Sequence, residues 1–346
     1  MSSPAGDAEA VPVDLSGWSL GGDAVRDAIA AAVDRACSSS GVLALTGHGV
    51  DPTVMEQVLE VSTAFFDLPL ETKRRVMVDD KVANRGYAAF GTEALAYSRG
   101  IESEPDMFEA FNIGCEAVPA GVSAEARAQF FAPNVWPDKP VGLRSTYLEY
   151  FAECAQLSRT LCQVFARALG LEEHFFVDVH DRAPSVMRAN NYERRPEHPE
   201  PSPDQLRMGA HSDYGSFTIL MADPVPGLQI LGTRGEWHDV LPPAGGFLVN
   251  LGDLLAEWTN NRWRSTVHRV VPPPQGTLGP FRRRSIAWFQ QPNHDAVIEV
   301  LDVCCDDDNP PRYPPTTSGD HLLAKLMGPR SGAVSDVDAT FLGLGD

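Results

Sequence analysis

Beyond residue 184 the sequence is cut into short apolar runs separated by Gly, Pro, Asn and Asp: SVMRANNY, FTILMA, LQIL, WHDV, FLVNLG, HRVV and RRSIAWFQQ. None is long enough for a stable helix, and several are rich in β-branched and aromatic residues. Short strands at such spacing specify an antiparallel sandwich or barrel. The first half reads differently. DAVRDAIAAAVDRACSSSG predicts a helix over about 23–37 starting at Asp23, and GVLALTGHGV a short strand and turn. DPTVMEQVLEVSTAFFDLP predicts a second helix, with Asp51 as cap, Pro52 in the first turn and Pro69 beyond the end. The longest helix has Leu143, Tyr147, Phe151, Cys154, Leu161, Phe165 and Leu169 on one face and closes at Gly170. Residues from about 82 to 140 read as loops, residues 1 to about 10 as a disordered tail, and 318–327 as a terminal helix capped by Ser318. The fold class expected is mainly β with α additions.

Composition excludes several classes of function. The chain has 346 residues, 43% of them hydrophobic, enough to bury a large core. With 28 Lys and Arg against 47 Asp and Glu the net charge is −19, and a field this negative repels nucleic acid. The six cysteines contain no CxxC pair and read as reduced thiols. The first residues are acidic and lack the apolar stretch of a secretory signal. With no apolar run of about 18 residues, the expectation is a cytoplasmic protein that does not span a membrane.

Chemistry enters at GAHSDYGS, residues 209–216. In an extended segment residues i and i+2 share a side, so His211 and Asp213 can face one ion. A third ligand is offered by His268 in STVHRVV, 55 residues after Asp213. Two imidazoles and one carboxylate on one face of an octahedral ion leave three positions open, the facial triad of non-haem Fe(II) oxygenases. The same ligands suit zinc, which normally keeps one open position. His238-Asp239 and His294-Asp295 are sequence neighbours that point to opposite faces of a strand and cannot share an ion. His48 and His321 read as structural, His321 with no partner nearby, and His174, His180 and His198 as solvated imidazoles. In FRRRSIAWFQQP, Arg283 and Ser285 again stand two apart, a guanidinium and a hydroxyl able to hold a carboxylate. Arg282 and Arg284 read as solvated side chains on an edge strand.

The order H-x-D, then H, then R-x-S resembles the iron(II)/2-oxoglutarate-dependent dioxygenases of the isopenicillin N synthase-like family. The likeness covers most of the chain: GVLALTGHGV, AFFDLPLETKRR, RGYAAFG and PDMFEAFNIG occur in family order, MRANNYERRP resembles its R-x-N-x-Y strand, and GGFLVNLGDLL with TNNRWRSTVHRV leads to the last ligand. The resemblance implies a double-stranded β-helix, or jelly roll, wrapped by N-terminal helices and a C-terminal helix. It divides the chain into an N-terminal helical and loop region (1–180), a jelly-roll core (181–300) and a C-terminal helix and tail (301–346). It makes His211, Asp213 and His268 ligands of Fe(II), and places Arg283, Ser285, Asn190 and Tyr192 around 2-oxoglutarate. O2 is the second co-substrate and ascorbate an accessory reductant. The implied reaction oxidises a small-molecule metabolite, by hydroxylation as the default and by desaturation or cyclisation as branches, while 2-oxoglutarate becomes succinate and CO2. By the same analogy Tyr87, Phe108 and Phe289 line the substrate side, and the protein is a monomer. The alternatives are a family oxidase that does not use 2-oxoglutarate, an ethylene-forming type, a zinc hydrolase on the same ligands, and a non-catalytic metal-binding jelly roll.

Overall fold

The short runs pair into two facing sheets in the computed structural model, which describes residues 9–79, 83–101, 103–196, 198, 200–273 and 282–331. The first eight residues of the expected N-terminal tail, and the C-terminal tail from 332, lie outside the described residues. The larger sheet contains Val11–Asp14 (β1), Val42–Thr46 (β2), Gly86–Ala88 (β3), Glu109–Gly114 (β4), Val186–Tyr192 (β5), Phe217–Ala222 (β7), Phe247–Leu251 (β10) and Arg283–Gln290 (β12). Their order is β1-β2-β10-β7-β12-β5-β4-β3. The smaller sheet holds Met208–His211 (β6), Leu228–Leu231 (β8), Trp237–Asp239 (β9) and His268–Val270 (β11), in the order β6-β11-β8-β9. Val297–Ile298 (β13) and Thr316–Thr317 (β14) form a separate pair.

Helices cover the outer face of the larger sheet. Asp23–Ser39 (α1), Pro52–Phe66 (α2) and Leu143–Ala168 (α5) pack against it. Leu70–Arg74 (α3), Ala124–Phe130 (α4), Phe175–Asp178 (α6) and Asp253–Trp258 (α7) are short, and Ser318–Ser331 (α8) comes last. Asp51 caps α2 by accepting the Thr53 N–H at 2.8 Å, and α5 buries Leu143, Tyr147, Cys154, Leu161 and Phe165. Strand alternation divides the sheet's two faces. On β12, Ile286 and Trp288 enter the core beneath the helices, while Arg283, Ser285, Ala287 and Phe289 line a cavity of about 980 Å³ between sheet and surrounding loops. This is a jelly roll with helical additions.

Several expectations fail in instructive ways. β4 crosses the region read as loop: its six residues are all buried and pair with β3 and β5. Its EAFNIG sequence lacks a polar alternation because both faces are covered. β12 is central rather than an edge, flanked by β5 and β7. Accordingly Arg284 is not simply solvated but pairs with Asp223 through two nitrogens (2.9 and 3.2 Å), and Arg282 reaches Asp67 at 2.8 Å. Thr317, not Ser318, caps α8, accepting the Asp320 N–H at 3.1 Å. His180 is half-buried and bonded at both nitrogens, to the Phe176 carbonyl (2.6 Å) and Ser216 Oγ (2.8 Å), so burial pushes its pKa down to about 4. His321 does have a neighbour, Glu257, at 3.5 Å.

Candidate metal and co-substrate site

β6 and β11 bring the two histidines face to face, because His268 is the register partner of His211. Their ring centroids lie 4.3 Å apart. Each ring is oriented by the carbonyl two residues before it: His211 Nδ1 donates to Gly209 O at 2.8 Å and His268 Nδ1 to Thr266 O at 3.1 Å. That fixes the tautomer and leaves both Nε2 atoms as donors to a metal. β6 ends at His211, so Asp213 sits in the turn beyond the strand and not on it. Its carboxylate is aimed by other means. Thr218 Oγ1 on β7 and Asn250 Nδ2 on β10 both donate to Asp213 Oδ2, the latter at 2.6 Å. The remaining oxygen, Oδ1, stands 4.0 Å from His211 Nε2 and 4.0 Å from His268 Nε2. One donor atom from each residue thus lies within 4.8 Å of the others.

Electrostatics favour a cation there. Burial, reinforced by neighbouring His268, pushes the His211 pKa down to about 4, so the ring is neutral at ordinary pH. Burial opposes ionisation of Asp213, yet the two imidazoles and its two hydrogen-bond donors outweigh it and hold the carboxyl below its usual range. A buried carboxylate with two imidazole nitrogens beside it fits a divalent metal ion.

Behind this cluster Asp253, at the start of α7, ties the ligand-bearing segments together. Its backbone N–H donates to Asp213 O at 2.8 Å, and its carboxylate accepts from Ser212 (3.1 Å), Ser265 (2.6 Å) and the Lys325 ammonium of α8 (2.7 Å). Gly252 permits the approach, since a Cβ there would lie 2.2 Å from Gly215 O.

Farther along the sheet Arg283 is 1% exposed, and its Nε has no acceptor among the described residues. Its guanidinium lies over the Tyr192 ring at 5.1 Å, and burial lowers its pKa. Ser285 faces Asn190 across the β12–β5 pair and accepts its Nδ2–H at 3.3 Å. A buried, incompletely paired guanidinium beside a hydroxyl, an amide and a phenol fits a carboxylate ligand.

The substrate-side candidates separate. Phe289 lines the cavity. Tyr87 lines it too, but its hydroxyl is committed to Glu109, which also accepts from Lys73 at 2.6 Å. Phe108 is not among the lining residues. It packs beside Tyr192 at 5.8 Å and beneath the Arg188 guanidinium at 5.0 Å. Sequence reading met Arg188 in the R-x-N-x-Y stretch and Asn250 and Asp253 in GGFLVNLGDLL but gave them no role, and it passed over Thr218.

Comparison with known proteins decides the class. Residues 12–139 match the family described as non-haem dioxygenase in morphine synthesis N-terminal, and 184–292 match the 2OG-Fe(II) oxygenase superfamily. A 2-oxoglutarate-Fe(II) type oxidoreductase of Emericella nidulans is 31% identical over 294 residues, 83% of this chain and 81% of that one. The chain belongs to the 2OG-Fe(II) oxygenase superfamily. Validamycin A dioxygenase of Streptomyces hygroscopicus subsp. limoneus is 32% identical over 75% of this oxygenase and 71% of its own length. The crystal structure of a Neurospora crassa protein in complex with alpha-KG and thymine superposes with TM-score 0.80 at 30% identity, covering 94% of this chain and 98% of that one. The oxygenase therefore acts on a small molecule and depends on Fe(II) and 2-oxoglutarate. Among the described residues no helix is long and apolar enough to cross a membrane, and all six cysteines are free thiols.

Proposed function

We propose that His211 Nε2, Asp213 Oδ1 and His268 Nε2 hold the iron, and that Arg283 and Ser285 bind the far carboxylate of 2-oxoglutarate with Asn190 and Tyr192 lining the same pocket. One observation carries this reading: the second polar atom of each triad side chain is already engaged. Both Nδ1 atoms are bonded to backbone carbonyls and Oδ2 to Thr218 and Asn250, so each residue has a single donor left for an ion.

Bound iron with 2-oxoglutarate supplies oxygen activation, coupled to formation of succinate and CO2. The chain contributes the rest. The neutral His211 ring needs to lose no proton to act as a ligand. Arg283 supplies charge-assisted hydrogen bonds to the co-substrate from a site closed to solvent. The sheet keeps the co-substrate end fixed, while the described residues of the 1–180 and 301–346 regions shape the side that meets the substrate around the 181–300 core. Hydroxylation is the default outcome, with desaturation or cyclisation from the same start. The Neurospora crassa neighbour was crystallised with thymine and a relative in rice is named homoarginine-6-hydroxylase, so relatives differ in substrate. Acidic charge and free thiols support a monomer in the cytoplasm.

Incubation of the Fe(II) protein with 2-oxoglutarate, O2, ascorbate and candidate metabolites tests the function. Succinate must accumulate with a substrate mass gain of one oxygen. Loss of 2-oxoglutarate with ethylene as the product, or substrate oxidation without succinate, would sink the reading.

A further inference from the structure

The C-terminal helix reaches the metal turn through a buried ion pair. α8 begins on two backbone contacts, Ser318 N–H to Ala296 O at 3.0 Å and Gly319 N–H to His294 O at 2.8 Å. Farther along it Leu322, Leu323 and Lys325 line the cavity. Lys325 is 8% exposed, and its ammonium donates to Asp253 Oδ2 at 2.7 Å across 72 residues of sequence. Asp253 itself is 1% exposed. Its carboxylate also accepts from Ser212 Oγ at 3.1 Å and Ser265 Oγ at 2.6 Å, while its N–H donates to Asp213 O at 2.8 Å. Ser212 stands between His211 and Asp213, and Ser265 lies shortly before His268. One buried anion thus holds the chain on both sides of the long gap between Asp213 and His268.

That anion depends on its cation. Taking two charges out of water costs more than apolar packing does, so a buried ion pair is a poor device for merely gluing a helix down. Removing the cation alone is worse, because the carboxylate is left uncompensated and turns toward water. Such a movement draws Ser212 and Ser265 with it, and with them the backbone that carries the ligands. Thr218 and Asn250 aim the Asp213 carboxylate, whereas Asp253 holds its backbone.

We propose that Lys325 is a positioning residue for the metal centre. It acts through Asp253, and it makes the helix that walls the substrate side a condition of tight metal binding. This rests on the reading of the triad given above.

The test is titration of the metal-free protein with Co(II), following the visible d–d bands that report coordination geometry. The unaltered protein and Asp213→Ala are read first. Equal binding by both would overturn the triad itself, not the role of Lys325 alone. With the triad upheld, Lys325→Met should weaken Co(II) about tenfold, the range for residues that orient metal ligands, and should change the band intensities. Lys325→Arg, which keeps the cation, should retain both. In an Asp253→Asn background, where no buried charge awaits a partner, Lys325→Met should add little, because residues acting in one network are non-additive. A helix anchor of no other consequence would lower only the denaturant midpoint of the metal-free protein. Wild-type affinity and bands in Lys325→Met, an equal loss in Lys325→Arg, or a further tenfold loss in the Asp253→Asn background would overturn the proposal. Where Lys325→Met does not fold, Lys325→Gln removes the charge, keeps a donor, and is read by the same outcomes.

Discussion

The two ends of the cavity are built in different ways. At the co-substrate end, Arg283 and Ser285 lie two residues apart on one strand, opposite Tyr192 and Asn190 of the neighbouring strand, in a continuous register. The four side chains proposed to bind the co-substrate depend on one strand pair deep in the sheet. At the other end the lining comes from pieces far apart in sequence: Asn112 from β4, Arg188 from β5, Glu93 and Leu95 from the segment before β4, and Leu322 and Lys325 from α8. Asn112 and Arg188 are register partners within the sheet, whereas the Glu93–Leu95 segment and α8 are joined to it by a few polar contacts. Asp106 fastens the Glu93–Leu95 segment by accepting the Leu95 and Gly209 N–H groups, each at 2.8 Å. Lys325 fastens α8 through Asp253 at 2.7 Å. An end held by sheet register keeps its chemistry fixed. One held by separate contacts can be re-equipped residue by residue without disturbing the first, which suits a family whose relatives differ in substrate.

Four outcomes break or sharpen that contrast. The largest strikes what both ends share: Asp213→Ala should lower turnover at least about a thousandfold, measured as succinate formation, because the only anionic ligand is lost. Next, Arg283→Met should raise KM for 2-oxoglutarate about a hundredfold, the range of a charge-assisted pair, with a much smaller change in kcat at saturation. An unchanged KM would move the carboxylate elsewhere.

The third concerns the seam between the two ends. Burial raises the Asp106 pKa from 3.8 to about 6, against the pull of its two N–H donors. The folded state therefore binds this proton more tightly than the unfolded chain does. Stability from this group is gained as pH falls from about 6 to about 4 and is absent above that window. Relative to Asp106→Asn, the wild type should gain about 2–3 kcal/mol over that range in denaturant unfolding of the metal-free protein. A constant difference between the two would remove the assignment. The smallest effect is expected at a residue that only aims a ligand. Asn250→Leu frees Asp213 Oδ2 from one donor and should weaken metal binding about tenfold in a Co(II) titration.

What the sequence revealed follows the same division. Arg283 with Ser285 was legible because a two-residue step places side chains on one side of an extended strand, whereas the same step pointed to His211 and Asp213 although Asp213 sits in the turn beyond β6. His268 was legible only as the start of another apolar run, and its place opposite His211 is a product of pairing between β6 and β11. Asn112 lay hidden because β4 is buried on both faces and reads as an irregular stretch. Thr218, Asn250 and Asp253 converge on the metal turn from β7, β10 and α7, and no local pattern announces contacts made only when sheets close. Phe108 was assigned to the cavity by family analogy, whereas it packs beneath the Arg188 guanidinium. His180 looked solvated in a polar stretch, and tertiary packing gave it two partners.

The central claim is that Asp213 and the two histidines hold iron while Arg283 delivers 2-oxoglutarate to it. Anaerobic titration of the Fe(II) protein with 2-oxoglutarate, following the weak visible metal-to-ligand charge-transfer band, tests both halves at once. The wild type should develop the band, Arg283→Met should develop it only at about a hundredfold more co-substrate, and Asp213→Ala should not develop it. A band of full intensity in Asp213→Ala at wild-type concentrations of 2-oxoglutarate would contradict the account.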